Sequence, residues 1–200
     1  MVESRPTIVV LNDTAVIPHY GCKVVMKRLV DTIAEAGFAV KTISVYGTWE
    51  VHKSVIDQAA GVIVNGEGTI HHSAPRGQAL VAVAPYCHER NIPVFLINTV
   101  WQDNSDQMAH QARHFLLRYT RESWSERQLE AHGLETTTVA DLTLGWKYQG
   151  LGSSVQRHGR LYTDAVGMRE TDLLHRLYRE DSEARYVVMT PPRGHRGDYP

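Results

Sequence analysis

Glu67, Thr69, His71, His72 and Ser73 crowd a carboxylate, two imidazoles and two hydroxyls into one short stretch, Asn65-Gly-Glu-Gly-Thr-Ile-His-His-Ser73. Groups of these types deprotonate a hydroxyl, hold a polar ligand or ligate a cation. Gly66 and Gly68 flank the carboxylate, and glycine admits dihedrals and close backbone approaches that other residues resist. The stretch follows Val62-Ile-Val64, a β-branched run without charge that reads as a buried strand. A strand running into a glycine turn rich in donors and acceptors is laid out like the floor of a binding site. The plainer reading is a tight strand-to-helix turn with incidental polar residues. The adjacent histidines favour the site.

Other candidates stand at similar places along the chain. Asn12 and Asp13 follow an apolar run; they either start a turn or contact a ligand. Asn98-Thr-Val-Trp-Gln-Asp103 follows a second run, and Trp101 either fills core or stacks on a sugar. Arg121 can grip a carboxylate or phosphate in a fork, or pair with Glu122 or Asp141. Ser123 reads as a helix cap, and His19 as a residue packed at a helix start. Cys22 and Cys87 read as small packing residues, because nothing pairs them with a base. His71 and His72 lack a third ligand at a recognised spacing, so no metal is expected. No Gly-x-Gly-x-x-Gly or Walker-type loop occurs, and no cofactor is expected.

These groups need a scaffold, and the hydrophobic pattern supplies one. Strands are predicted at residues 7–11, 39–45, 62–64, 93–98, 116–120 and 137–142. Helices are predicted between them at 21–36, 49–59, 78–90, 107–114 and 123–132. In the first, Val25, Leu29, Ile33 and Ala36 form an apolar stripe opposite Lys23, Lys27, Asp31 and Glu35. Gly37 and Gly133 sit where helices end. Ser123 and Glu126 have the spacing of a capping box. The alternation implies an α/β fold: a Rossmann-like parallel sheet with helices on both faces. The polar groups then fall at the carboxyl ends of successive strands, the edge at which such sheets bind ligands.

The domain expected from this pattern spans residues 1–144. A glycine- and serine-rich linker is expected at 145–159, a partial β-α-β unit at 160–190, and a disordered tail at 191–200. With 200 residues, 42% of them hydrophobic, one compact α/β domain fits. The formal net charge of −1 implies no basic face, so nucleic acid is not an expected partner. No apolar run approaches the roughly 20 residues of a membrane span, and the first residues lack a signal peptide's apolar stretch. Two cysteines fit a cytoplasmic, reducing setting.

Taken in order, Val62-Ile-Val-Asn-Gly-Glu-Gly-Thr-Ile-His-His72, Pro93-Val-Phe-Leu-Ile-Asn98, Tyr119-Thr-Arg-Glu-Ser123 and Val139-Ala-Asp-Leu142 make a set. That set resembles the polysaccharide pyruvyl transferase family across residues 8–144. The resemblance implies one half of a GT-B-like architecture. It implies transfer of a pyruvyl group from phosphoenolpyruvate to a sugar, as a ketal, in surface-polysaccharide (exopolysaccharide) biosynthesis. Glu67, His71 and His72 become catalytic candidates. Asn12, Asp13, Asn65, Gly66, Gly68, Thr69, Arg121 and Asp141 become substrate-binding candidates. The family's second domain carries an Arg-x-His-Gly-type element; here Arg193-Gly-His-Arg196 departs from it, so a truncated chain that does not catalyse alone is also expected. Two other readings stand beside transfer: a non-catalytic carbohydrate-binding or partner module, and, third, a metal hydrolase using His71, His72 and Glu67.

Overall fold

The structure is a computed structural model that describes residues 5–44, 46–145, 159–163 and 173–187. The expected linker and tail lie almost wholly outside these residues. The main unit runs β1 (Thr7–Asp13), α1 (Tyr20–Glu35), β2 (Ala39–Ser44), a 3-10 turn (Trp49–His52) and α2 (Lys53–Ile56). It continues with β3 (Gly61–His71), α3 (Pro75–Val81), α4 (Val83–His88), β4 (Val94–Gln102) and α5 (Asp106–Ala112). It closes with β5 (Leu117–Thr120), α6 (Ser123–Ala131), β6 (Thr137–Thr138) and a 3-10 turn (Leu142–Gly145). Six strands form one parallel sheet in the order β2-β1-β3-β4-β5-β6. The fold is α/β, as the alternating pattern requires.

Side chains on β1 alternate between two cores, as the two-residue period of a strand dictates. Ile8 and Val10 pack with Met26, Leu29 and Ile33 of α1. Val9 and Leu11 join Val62, Val64, Val94 and Leu96 under residues of α2 to α6. Helix α1 therefore covers one face and α2 to α6 pack on the other. The buried stripe of α1 is Val25, Met26, Leu29 and Ile33, with Ala36 left exposed. From β1 the chain crosses to β2 on one side, and from β3 it crosses to β4 on the other. The reversal lies between β1 and β3, which opens a crevice beyond their carboxyl ends.

Several elements differ from the pattern-based expectation. The 78–90 helix is two helices broken at Ala82, because Pro85 has no N–H for the carbonyl of residue 81 and its ring crowds it. The 49–59 segment starts as a 3-10 turn, where the Trp49 indole donates to the Ala79 carbonyl at 2.8 Å and fixes the turn from outside. The sixth strand is only two residues long. Asp141 draws the chain into a turn by accepting from both the amide and the hydroxyl of Thr143, at 2.8 Å each. The residue preceding α6 is Glu122, and its carboxylate accepts from the Trp124 and Ser125 amides. Ser123 is thus inside the helix and does not cap it. Glu126 bonds Thr138 instead of completing a capping box.

The last described elements are β7 (Arg160–Thr163), α7 (Leu173–Glu180) and β8 (Ala184–Val187), with β7 and β8 in parallel.

Candidate functional site

The carboxyl edge is not a row of turns. Strand β3 continues through Asn65-Gly-Glu-Gly-Thr to His71, and β4 continues past Asn98 to Gln102. The glycine turn expected at residues 65–69 is therefore strand. What interrupts it is one left-handed residue per strand: Asn12 in β1 (φ 66°), Glu67 in β3 (φ 41°) and Asn98 in β4 (φ 50°). Register slips occur at or next to each of them, between Leu11 and Asp13, Glu67 and Ile70, and Leu96 and Thr99. Three adjacent strands bulge at this end of the sheet. Such irregularities re-aim side chains and cluster at binding sites, and non-glycine residues adopt these dihedrals only when surroundings hold them there.

The glycines owe their place to packing between strands. A Cβ at Gly66 would sit inside the Thr99 side chain and 2.9 Å from the Thr99 Cα, so β3 and β4 pass too closely there for any side chain. The close approach expected at Gly66 is thus to β4. A Cβ at Gly68 would meet only Arg121 Nη2, at 3.6 Å.

Glu67 is the hub. It is 8% exposed, and its Oε1 accepts from the Thr14 hydroxyl at 2.5 Å and from Asn65 Nδ2 at 3.0 Å. Its Oε2 accepts from the Cys22 thiol at 3.5 Å. Burial, then the Glu67 charge and the hydrogen bond to it, push the Cys22 thiol up to about 11. Cys22 thus touches the centre of the site. Asn12, 2% exposed, donates from Nδ2 to the Asn65 carbonyl at 2.6 Å and to Thr69 Oγ1 at 3.3 Å. Its Oδ1 accepts from Arg76 Nη2 at 2.8 Å. Asn12, Asn65, Glu67 and Thr69 therefore form one hydrogen-bonded group across β1 and β3. Asn65 Oδ1 and Asn98 Nδ2 are buried without a hydrogen-bond partner among the described residues.

The remaining candidates lie around this hub. Asp13 accepts from the Ala15 amide at 3.0 Å and serves its own turn. Arg121 donates to Asp141 at 3.0 Å; the pair is about one-quarter exposed, and Arg121 borders Gly68. His71 lies further along β3 than Glu67: their partners on β4, Thr99 and Gln102, are three residues or roughly 10 Å apart, and His72 follows the end of the strand. His71 Nδ1 and His72 Nδ1 lie 3.0 Å apart, and His72 Nε2 lies 3.3 Å from Asp103. Among the described residues Glu67 shares no hydrogen bond with either histidine. Among the described residues no group of three His, Cys, Asp or Glu is placed to hold a metal. Trp101 is fully buried core. His19 precedes α1 without capping it.

Thr14 belongs to the polar end of β1, and Arg76 and Cys22 belong to this edge without standing out as site residues in the sequence. Arg76 is second in α3, after Pro75, and only the continuation of β3 to His71 brings that helix start back over Asn12. A cleft of about 290 Å³ opens there, lined by Leu11, Asn12, Ile43, Tyr46, Trp49 and Arg76 among others. A second cavity of about 320 Å³, between α3 and α5, holds none of these groups.

No family model matches the chain, and no curated protein matches it. Among solved structures, an ABC sugar transporter subunit from Rhodobacter sphaeroides 2.4.1 is similar at 11% identity and a TM-score of 0.41. The match covers 91% of this chain and 55% of that one. So distant a likeness carries no functional argument. No helix among the described residues is long and apolar enough to cross a membrane.

Proposed function

We propose that this chain is a pyruvyl transferase-like protein whose carboxyl edge receives a sugar acceptor, with phosphoenolpyruvate as donor. The observation that carries the reading is the Asn12–Asn65–Glu67 group, set at bulges in adjacent strands and bordered by the Arg121–Asp141 pair. Fixed amides, carboxylates and a guanidinium recognise a polyhydroxylated ring through directed hydrogen bonds. In the transfer, two acceptor hydroxyls add to the donor's C2 and phosphate leaves. One hydroxyl proton ends on C3, making the methyl group, and the other leaves with phosphate. The step this edge can assist is removal of a hydroxyl proton. Glu67 is already engaged by three donors, so its part is to position Asn65 and Thr14. His71 Nε2 carries no hydrogen bond among the described residues, while His72 is oriented by Asp103. His71 is therefore the proton acceptor in this reading.

The test is acceptor-dependent phosphate release from phosphoenolpyruvate over a panel of glycans, with the ketal methyl followed by NMR. Transfer that falls at least roughly a hundredfold in His71→Ala, with an unchanged melt, supports the reading, since positioned acid–base groups contribute on that scale. Sugar binding without transfer on any acceptor favours a non-catalytic carbohydrate-binding module, the reading that the full engagement of Glu67 supports.

A further inference from the structure

The lining of the cleft on the β2 side of the switch point is, among the described residues, neutral except for one group. Leu11, Ile43, Ala79 and Leu80 line it, Trp49 and Tyr46 supply aromatic surface, and Arg76 is the one charged lining residue among the described residues. The Trp49 indole N–H is committed to the Ala79 carbonyl, which holds the ring in place. Arg76 has no carboxylate within ion-pair distance among the described residues; its side-chain partner is the neutral Asn12 Oδ1. The nearby Glu67 carboxylate is turned to Thr14, Asn65 and Cys22 instead. Burial lowers the Arg76 pKa, with Tyr46 and Glu67 acting in the opposite sense.

The position of Arg76 is fixed by its neighbours. Pro75 pre-sets the first helical residue, and Gly77 presses α3 onto β3, where a Cβ would meet the Thr69 carbonyl at 3.1 Å and the Ile70 Cα at 3.2 Å. A half-buried guanidinium whose one hydrogen-bond partner among the described residues is a neutral amide has donors left for an anion, and its planar fork matches a carboxylate or phosphate. A cleft of about 290 Å³ is at the small end of ligand sites, room for one ring and not a chain of them. Asn12, Ser44 and Thr48 offer partners for hydroxyls.

We propose that this cleft binds an acidic monosaccharide, its carboxylate or phosphate on Arg76 and its ring along the Trp49–Tyr46 wall. The inference rests on the acceptor reading above and narrows it: the acceptor is a uronate or a sugar phosphate.

Calorimetry with glucuronate, glucose 1-phosphate, glucose and inorganic phosphate tests it. The acidic sugars should bind, with glucose weaker by roughly ten- to hundredfold, the range one charge-assisted contact carries. Arg76→Met should erase that difference, and Arg76→Lys should restore part of it. If Arg76→Met does not fold, Arg76→Lys decides, because it keeps the charge and loses the fork. A preference for glucuronate assigns a uronate; a preference for glucose 1-phosphate assigns a sugar phosphate. Equal binding of glucose, or inorganic phosphate binding as tightly as glucose 1-phosphate, overturns the proposal. So does phosphoenolpyruvate binding at Arg76 more tightly than either acidic sugar. Acceptor-dependent transfer without charge preference sinks this inference alone, whereas acidic-sugar binding without transfer sinks the transfer reading alone.

Discussion

One methyl group separates the roles of Gly66 and Gly68. At Gly66 it collides with the backbone of β4, which cannot swing aside as a side-chain end can. Overpacking typically costs about 1–3 kcal/mol, and Gly66→Ala should fall at or above the top of that range. Gly68→Ala meets only ordinary contact with Arg121 and should stay within about 1 kcal/mol. Urea melts of both variants decide; equal losses would mean that the two strands do not approach as described. The second residue-scale prediction concerns Cys22. With its thiol pushed up from 9.0 to about 11, its thiolate fraction at pH 8 is about a hundredfold below that of an ordinary cysteine. Iodoacetamide should label it slowly. Glu67→Gln removes a charge that opposes the thiolate, so labelling at pH 8 should quicken. Cys87, pushed up to about 12 chiefly by burial, has Arg90 and Asp57 and not Glu67 as the charges acting on it, and should not respond. An unchanged Cys22 rate in Glu67→Gln would remove the thiol from the hub.

At the scale of the element, α6 depends on Glu122. Burial alone would raise its carboxyl pKa. The Ser125 hydroxyl, the Trp124 and Ser125 amides and the Arg127 charge together outweigh burial and hold it below 4.5. A depressed folded value means the stabilisation is present above the unfolded value near 4.5 and is lost as pH falls through the folded one. The urea midpoint should therefore drop with acid in that window, and Glu122→Gln should flatten the slope. At pH 7 Glu122→Ala should cost about 1 kcal/mol, as loss of a helix cap does. Ser123→Ala should change little, and a Ser123→Ala cost as large as that of Glu122→Ala would restore Ser123 as the cap. The sequence misled here because Ser123 and Glu126 carry a familiar spacing, while an acidic residue at the preceding position leaves no pattern of its own. The strands were more legible. Val9, Val10, Val62, Val64 and Leu96 announce themselves by β-branching and apolar runs. Their lengths did not, because Asn12, Glu67 and Asn98 look like the ends of strands and are bulges inside them.

For the molecule as a whole, alternating strands and helices made the parallel sheet readable, and the polar ends of the strands marked the edge. Strand order was not readable, since nothing in Gly61-Val-Ile-Val says that β3 lies beside β1. Arg76 was hidden for the same reason: it joins Asn12 only through the path of the chain. The pair β7 and β8 gives a prediction at this scale. The described part of this unit, two strands with one helix, is a marginal one, and Leu161 is 63% exposed there. Amides of residues 160–163 and 184–187 should exchange at least roughly a hundredfold faster than those of residues 9–11 and 62–64. Exchange as slow as in β1 would mean that this unit is anchored to the larger sheet.

The Asn65-Gly66 step has one more consequence, for the ageing of the protein. In a flexible peptide, an asparagine followed by glycine deamidates readily, because the glycine nitrogen can swing round to attack the side-chain carbonyl. Here Asn65 is fully buried within β3, its amide tied to Glu67 and its residue in register with Ile97. The attack geometry is denied for as long as the sheet is closed. Isoaspartate at position 65 should thus accumulate only in molecules that have opened, and its extra backbone carbon would prevent β3 from pairing again. Peptide mapping after long incubation, with and without sub-denaturing urea, would read that lesion as a clock of time spent unfolded.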